Sequence, residues 1–457
     1  MSKTLNNNFL IFISLFILIY FFFFDKTIFG INIIIEIISF NWFNLKYIFM
    51  IDGISLFFIL LSSFLLGLCI LIGWIWAYKI SIYMFCIFLS MFCLVNIFGT
   101  IDFFVLFFFF ELIVVPLFLL VGIWGSRDRK IYAAYLLFIY TLIGSIFALF
   151  AFIFLYSNKG VSNFLFLLNS YFMEYYQIIL FILLFLGFAV KVPIIPIHVW
   201  LPEAHVEAPT SGSVILAGIV LKLGFYVYMR LLVFTFSGIL YYLMNVIFVI
   251  SLLGLYLPSF FALAQIDIKK IIAYSSISHM NFSLIGLFCT NFISIFGSFF
   301  MMFGHAIVSS ALFSSIGVLY DRYKTRLIFY YGGLVLLMPF WVVFFFVFIL
   351  GNFGLPGTVN FVGEFTIFLG SFLVNNLIIF FSLFGLFLTL VYSLFLYTKL
   401  ANGLIKIEFI RFFGDLTKRE FFILFPLFFF TIYFGLFPNI LFDYSFSSIY
   451  YWFFFSS

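Results

Sequence analysis

Long apolar stretches, separated by short polar breaks, run through almost the whole of this 457-residue chain. A helix that crosses a bilayer needs about 20 apolar residues. From residue 51 onward, such stretches fall near 51–75, 82–99, 102–123, 131–156, 177–202, 209–233, 239–258, 271–289, 296–319, 333–376, 377–400 and 421–440. The pattern predicts an all-α fold, a polytopic transmembrane helical bundle.

The composition excludes a soluble domain. Only 8% of the residues are charged and 67% are hydrophobic, whereas a soluble domain carries about 25% charged residues. Membrane lipid must therefore cover much of the surface. The 21 basic residues are scattered and form no basic stripe, so nucleic acid is not an expected partner. Phenylalanine often stands where leucine would pack equally well, which suggests an AT-rich, organelle-encoded gene.

The first 50 residues are harder to assign. They contain one clear apolar helix at 9–24 and a second candidate at about 28–48, which Glu36 and Lys46 interrupt. The total is therefore 13 or 14 spans. The N-terminus lacks a small-residue cleavage site and an arginine-rich transit pattern, so we expect the first helix to be retained. Residues 1–50 are expected to form N-terminal membrane segments, and 441–457 a C-terminal tail.

Most of the basic residues lie in alternate loops. The loops of one side contain Lys79, Arg127, Arg129, Lys130, Lys269, Lys270, Arg322, Lys324, Arg326, Lys399, Lys406, Arg411, Lys418 and Arg419. The other side has, downstream of residue 51, only Lys159 and Arg230. The positive-inside rule places the basic loops in the cytoplasm or the mitochondrial matrix, and the C-terminus on the opposite side.

Four charged residues stand inside predicted spans, namely Glu111, Lys191, Lys222 and Glu364. Glu111 follows Asp102 by nine residues, so it lies about 14 Å deep in a hydrocarbon core of about 30 Å. A charge at the bilayer centre costs at least about 2.5–3.5 kcal/mol on insertion scales. We therefore expect the four side chains to face one another or internal water.

Two of these charges lie beside predicted helix breaks. Pro193 and Pro196 follow Lys191 and cannot donate backbone hydrogen bonds, and Gly354 and Pro356 precede Glu364 in the same way. Interrupted backbone inside a membrane persists only beside protein or water. Paired broken helices in the two halves of a membrane protein indicate an ion site between them.

Buried charges of this kind suit proton transfer. Desolvation penalises the charged form of a buried acid or base, and a nearby opposite charge restores it. A chain of such groups can therefore pass protons when the pairs move apart, and His305 is a natural intermediate because imidazole titrates near neutral pH. The alternative is a set of static ion pairs that fix helix register.

No cofactor or metal site is expected in this chain. The four cysteines lie inside apolar stretches without a C-x-x-C pair, so we interpret them as buried thiols. The segment HVWLPEAHVEAPTSGS has His198, Glu203, His205 and Glu207. Zinc can bind such residue types, but the segment lies at a turn between spans and includes no cysteine. Asp52 and Asp102 are interpreted as span ends.

Several long motifs resemble one known family. FELIVVPLFLL, WGSRDRKIYAAYLLFIYTLIGS, FAVKVPIIPIHVWLPEAHVEAPTSGSVILAGIVLKLGFYVYMR, IAYSSISHM and GLPGTVNFVGEF are similar to the proton-pumping, antiporter-like membrane subunits of respiratory complex I. The resemblance covers roughly residues 51–440. It implies that this region is an antiporter-like, proton-translocating core with two inverted repeats of five helices, each with one broken helix.

The resemblance also implies roles for particular residues. Glu111 matches the glutamate of the family's fifth helix, and Lys191 matches the lysine of the broken seventh helix that pairs with it. Lys222 and Glu364 match the central lysine of the eighth helix and the acidic residue of the broken twelfth. The remaining matches, His279, His305 and Arg230, line or support the polar axis. We group with them the two histidines of the central motif, His198 and His205.

The family further implies partners and location. NADH, FMN, iron–sulfur clusters and ubiquinone would belong to other subunits. The neighbours would be the related chain 5 and chain 2 subunits of the membrane arm, with supernumerary subunits around them, in the mitochondrial inner membrane. Two alternatives stay open: a subunit of a multisubunit cation/proton antiporter, which uses the same residue chemistry, and a structural membrane scaffold with inert ion pairs.

Overall fold

A computed structural model describes residues 31–40, 45–74, 77–168, 172–406, 409 and 414–456. The helix predicted at 9–24 lies outside the described residues. Two strands come first, β1 (Ile31–Phe40) and β2 (Leu45–Asp52). The helices that follow are α1 (Gly53–Gly73), α2 (Ile80–Gly99), α3 (Phe103–Trp124), α4 (Lys130–Lys159), α5 (Phe164–Leu168), α6 (Glu174–Ala189), α7 (Trp200–Glu207), α8 (Thr210–Val233), α9 (Ser237–Ala264), α10 (Ile268–Phe288), α11 (Phe292–Tyr323), α12 (Leu334–Leu337), α13 (Pro339–Asn352), α14 (Val359–Phe372), α15 (Asn376–Ala401), α16 (Lys418–Leu436) and α17 (Asn439–Ser456).

The helical bundle predicted from residue 51 onward is confirmed. Ten of the described helices are long and apolar enough to cross a membrane. The two predicted stretches not among them, 177–202 and 333–376, are the ones predicted to be broken. The first divides into α6 and α7, and the second contains α13 and α14. The chain is therefore a multi-pass membrane protein with interrupted helices where the prolines indicated them.

The second candidate helix near the N-terminus, at about 28–48, is wrong. Strands β1 and β2 form an antiparallel pair in which Ile31 lies opposite Asp52 and Phe40 opposite Leu45. β1 has the sequence INIIIEIISF. Isoleucine is β-branched and favours strands over helices, so a run that is apolar enough for a span forms a hairpin instead.

The predicted C-terminal tail is mostly helical. Helix α17 packs on α1 and α11, where Phe442 contacts the ring of Phe296 and Phe446 contacts that of Phe292. Near its other end, Trp452 donates a hydrogen bond to Asp52, the residue before α1. Both contacts lie at the end of the bundle where α1 and α11 begin, so α17 covers these helix ends.

Three relatively polar helices occupy the centre of the bundle. α8 is entirely buried, and α10 and α11 are buried along most of their length. Helices α4, α9 and α15 lie outside them and expose large apolar side chains, such as Phe150, Val249 and Phe387. Lipid can cover this outer layer, while the buried layer holds the charged and histidine side chains.

The basic loops meet at one end of the bundle. Arg326 forms a buried ion pair with Glu207, and Lys270 pairs with Glu203 at 2.8 Å. Lys269 donates to the carbonyl oxygen of Ala208. These contacts join the loops that follow α7, α9 and α11, which agrees with the grouping of the basic residues on one side.

Candidate proton-transfer axis

The break between α6 and α7 presents Lys191 to the interior. α6 ends at Ala189, whose carbonyl oxygen accepts from the backbone N–H of Ile194, because Pro193 has no N–H to offer. The indole of Trp200 donates to the carbonyl oxygen of Val190 at 3.0 Å. The backbone freed by the break is thus partly satisfied locally, and the Lys191 side chain is left 2% exposed.

Glu111 and Lys191 are neighbours without direct contact. The ammonium of Lys191 lies 4.7 Å from the ring centre of Phe110, the residue before Glu111. The positive charge of Lys191 is close enough to attract the Glu111 carboxylate electrostatically. Within the described part of the chain, no ion pair within 4.0 Å joins the two, and Glu111 Oε1 has no hydrogen-bond partner. The two side chains therefore lie near each other without forming an ion pair.

A glycine lets the Lys191 segment approach the Lys222 helix. A Cβ atom at Gly224 would lie 3.0 Å from Cβ of Lys191 and 2.7 Å from a methyl group of Val192. Only glycine allows the break to pack this closely against α8 without displacement. The two lysines are thereby carried on backbones in direct contact.

Lys222 sits at the centre of the molecule and is 0% exposed. Its ammonium donates to the carbonyl oxygen of Ala217 and lies 2.9 Å from Nδ1 of His305. A π-helical turn, Leu216–Val220, precedes Lys222. Such turns leave backbone carbonyls less regularly paired than in an α-helix, which gives the lysine a nearby acceptor.

Two histidines connect Lys222 to the second broken helix. The rings of His305 and His279 have centroids 5.6 Å apart. Nδ1 of His279 lies 4.0 Å from Oε1 of Glu364, longer than a direct hydrogen bond. Lys222, His305, His279 and Glu364 thus form a line of buried titratable groups, drawn from α8, α11, α10 and α14.

The second break shapes the space around Glu364. Gly354 has φ +69°, and a Cβ atom there would overlap the Glu364 carboxylate. The backbone continues through Pro356 to Gly357, also at positive φ, before α14 begins at Val359. The predicted helix-breaking residues therefore form a cradle for the carboxylate that follows them.

The two histidines of the central motif occupy different surroundings. His205 is 1% exposed and stacks on Phe313, with ring centroids 4.7 Å apart and Lys222 among the charges that act on it. His198 is only partly buried, at the outer side of the break. The structure thus brings His205 toward the axis and does not bring His198 into contact with it.

Arg230 lies at the far end of α8, in a cluster that the sequence did not indicate. Its guanidinium pairs with both carboxylate oxygens of Asp52 and lies 4.5 Å from the Trp452 ring centre and 5.2 Å from that of Tyr226. Asp52 also caps α1 by accepting from the N–H of Ser55, as expected of a span end. Trp452 stands in the predicted tail, so no sequence signal pointed to it.

The segment considered for zinc has other partners. Glu203 pairs with Lys270, and Glu207 pairs with Arg326. Among the described residues, no group of three histidine, cysteine or acidic side chains lies close enough to hold a metal ion. The four cysteines are buried free thiols, as predicted. The chemistry available to the line of buried titratable groups is the acceptance and release of protons.

Comparison with known proteins gives a consistent result. Residues 100–390 match the family described as NADH:quinone oxidoreductase/Mrp antiporter, transmembrane. The chain is 46% identical over 401 residues to the NADH-ubiquinone oxidoreductase chain 4 of Chondrus crispus, covering 88% of this chain and 82% of that protein. It is 45% identical over 402 residues to the protein of the same name from Arabidopsis thaliana, with 88% and 81% coverage.

Two solved structures share the fold. A chain of respiratory complex I from Thermus thermophilus superposes with a TM-score of 0.87 at 22% identity, covering 99% of this chain and 93% of its own. A chain of the Mrp complex from a Dietzia species gives a TM-score of 0.83 at 17% identity, with 98% and 90% coverage. At such identities the likeness concerns the fold alone.

Proposed function

The chain belongs to the NADH:quinone oxidoreductase/Mrp antiporter transmembrane family, and we propose that it is the proton-translocating chain 4 subunit of an NADH:ubiquinone oxidoreductase. The observation that carries this proposal is the buried line of Lys222, His305, His279 and Glu364. Each member can bind a proton, and each lies within reach of the next. The chain is then a subunit of a multisubunit enzyme and contributes proton movement to it.

The line suggests a sequence of proton transfers. A lysine ammonium close to a carboxylate holds its proton, and the same ammonium releases it more readily when the carboxylate moves away. The open pair of Glu111 and Lys191 is suited to such a switch. The proton then passes to Lys222, through His305 and His279, and on to Glu364. Internal water bridges the gaps longer than a hydrogen bond.

The remaining features follow from this assignment. Residues 51–440 act as the translocating core, between an N-terminal region at 1–50 and a C-terminal segment at 441–457, and the core consists of two inverted repeats. The basic loops face the mitochondrial matrix across the inner membrane. NADH, FMN, iron–sulfur clusters and ubiquinone are bound by other subunits, and the chain 5 and chain 2 subunits are its neighbours, with supernumerary subunits around them.

The subunits that co-purify with this chain test the assignment directly. Native membranes are solubilised, the assembly that contains this chain is isolated, and its subunits are identified by mass spectrometry alongside its NADH:quinone activity. We expect NADH dehydrogenase subunits and activity to co-purify. Because the family and the shared fold also include Mrp antiporters, association with small antiporter subunits alone would favour the alternative and overturn the proposal.

Replacing Lys191 by methionine should impair proton translocation and, through tight coupling, NADH:quinone turnover. The side chain is buried beside Phe110, and methionine keeps its length and apolar stem without the proton. The measurement is proton uptake per NADH oxidised in proteoliposomes. Glu111→Gln is expected to act in the same direction, because it removes the other partner. Normal turnover with a normal proton yield in the assembled K191M complex would refute the role.

Gly354→Ala offers a finer test of the Glu364 position. The added Cβ atom would displace the carboxylate, the far end of a flexible side chain, so the fold should tolerate it while proton translocation falls severalfold. Gly160→Ala is the matched control. Its φ of +66° imposes similar backbone strain, but nothing lies within 4 Å of the added atom. Equal proton yields in the two assembled variants would contradict the role of the cradle.

A further inference from the structure

A cleft opens at the basic end of the bundle, away from the proton-transfer axis. It lies between the end of α9, the end of α15 and the segment 328–332, and it has a volume of about 500 Å³. Two lysines line it, Lys399 and Lys406, and none of its described lining residues is acidic. The described lining therefore carries two positive charges and no negative one.

Both ammonium groups are available to a ligand. Lys399 is exposed and lies over the ring of Phe395 at 5.5 Å. Lys406 is exposed and donates to the carbonyl oxygen of Phe329. An ammonium has three N–H donors, so that bond leaves Lys406 with others. Both ammonium groups therefore lie at the wall of the cleft, one over an aromatic ring and the other against a backbone carbonyl.

Much of the remaining lining is apolar and exposed, beside the polar side chains of Gln265, Thr398 and Asn402. Phe329 is 65% exposed, Leu404 90%, Ile266 47% and Phe395 40%. Ile266 follows the end of α9, Phe395 lies near the end of α15 and Leu404 just after it, and α9 and α15 are outer helices that expose large apolar side chains. A ligand that satisfies such a lining must combine negative charge with apolar chains.

We propose that this cleft binds an anionic phospholipid, whose phosphate is held by Lys399 and Lys406 and whose acyl chains lie against Phe395, Ile266 and Leu263. Basic pockets between helices on the matrix or cytoplasmic side suit such headgroups. A zwitterionic headgroup brings a positive group with its phosphate and matches the two lysines less well. Free phosphate would leave the apolar lining uncovered.

The test uses the isolated complex in vesicles that contain phosphatidylcholine and a photoactivatable phosphatidylglycerol with its reactive group on an acyl chain. We expect labelling of peptides that include Leu263 or Phe395. The K399Q/K406Q variant should reduce this labelling about 25-fold, since each lysine near an anionic surface contributes about fivefold. The K324Q/K418Q variant removes the same charge from exposed lysines outside the cleft and should label normally.

Other outcomes overturn the proposal. Equal labelling by a phosphatidylcholine analogue would mean that the cleft has no headgroup preference. Displacement of the lipid by millimolar inorganic phosphate would identify a free-phosphate site. Absence of lipid labelling, with chemical crosslinks from Lys399 or Lys406 to another subunit, would show that a protein covers the cleft.

Discussion

Replacement of Lys222 by methionine is expected to stop proton translocation while the complex still assembles. Lys222 is fully buried and contacts His305 Nδ1 at 2.9 Å. Removal of a positioned proton donor or acceptor commonly costs about 10²–10⁴-fold in the step it serves. Methionine is flexible and apolar and fills a similar volume, so the substitution should reduce the stability of the fold only slightly. Proton uptake into proteoliposomes, measured with a pH-sensitive dye per NADH oxidised, gives the yield.

Lys222→Arg separates proton transfer from a static charge. An arginine side chain stays protonated in proteins, so it keeps the positive charge but cannot release a proton. If the buried charges only fix helix register, the arginine variant should pump normally. We expect both variants to lose translocation, with assembly checked on native gels. A normal proton yield in the assembled K222R complex would contradict proton release at this position.

The candidate proton-transfer residues predicted from the sequence share one property. Each of them interrupts an apolar stretch, namely Glu111, Lys191, Lys222 and Glu364. A charged side chain inside a membrane span is so costly that it usually has a function. Residue spacing alone does not give the contacts between these side chains, because the contacts depend on which helices cross. Lys222 meets His305 across 83 residues of chain, a contact that spacing does not indicate.

Residues at span ends were harder to interpret. Asp52 looks like an ordinary helix cap, and it is one, but it also neutralises Arg230 from 178 residues away. The helix predicted at about 28–48 is wrong for another reason. Hydrophobicity alone cannot distinguish a strand from part of a span in a short isoleucine-rich segment, and pairing with β2 decided it.

Replacing Asp52 by asparagine is expected to destabilise the chain strongly. The ion pair with Arg230 is nearly inaccessible, with side chains 2% and 0% exposed. Loss of one partner from a buried pair costs about 3–5 kcal/mol, because the other charge stays buried without compensation. Asparagine is also a good helix cap, so the start of α1 is preserved and the effect reports on the charge. The measurement is the thermal midpoint and the yield of the isolated complex.

The double variant D52N/R230M decides whether the pair itself is responsible. It removes both charges and leaves no uncompensated guanidinium, so we expect much of the lost stability to return. Contacting residues show this non-additivity, whereas distant ones add. Glu174→Gln, a change at an exposed carboxylate, should alter stability by no more than about 0.5 kcal/mol. If D52N and R230M destabilise additively, the Asp52–Arg230 contact does not hold α8 to the start of α1. The packing of α17 around Trp452 would then have to stabilise that end of the bundle.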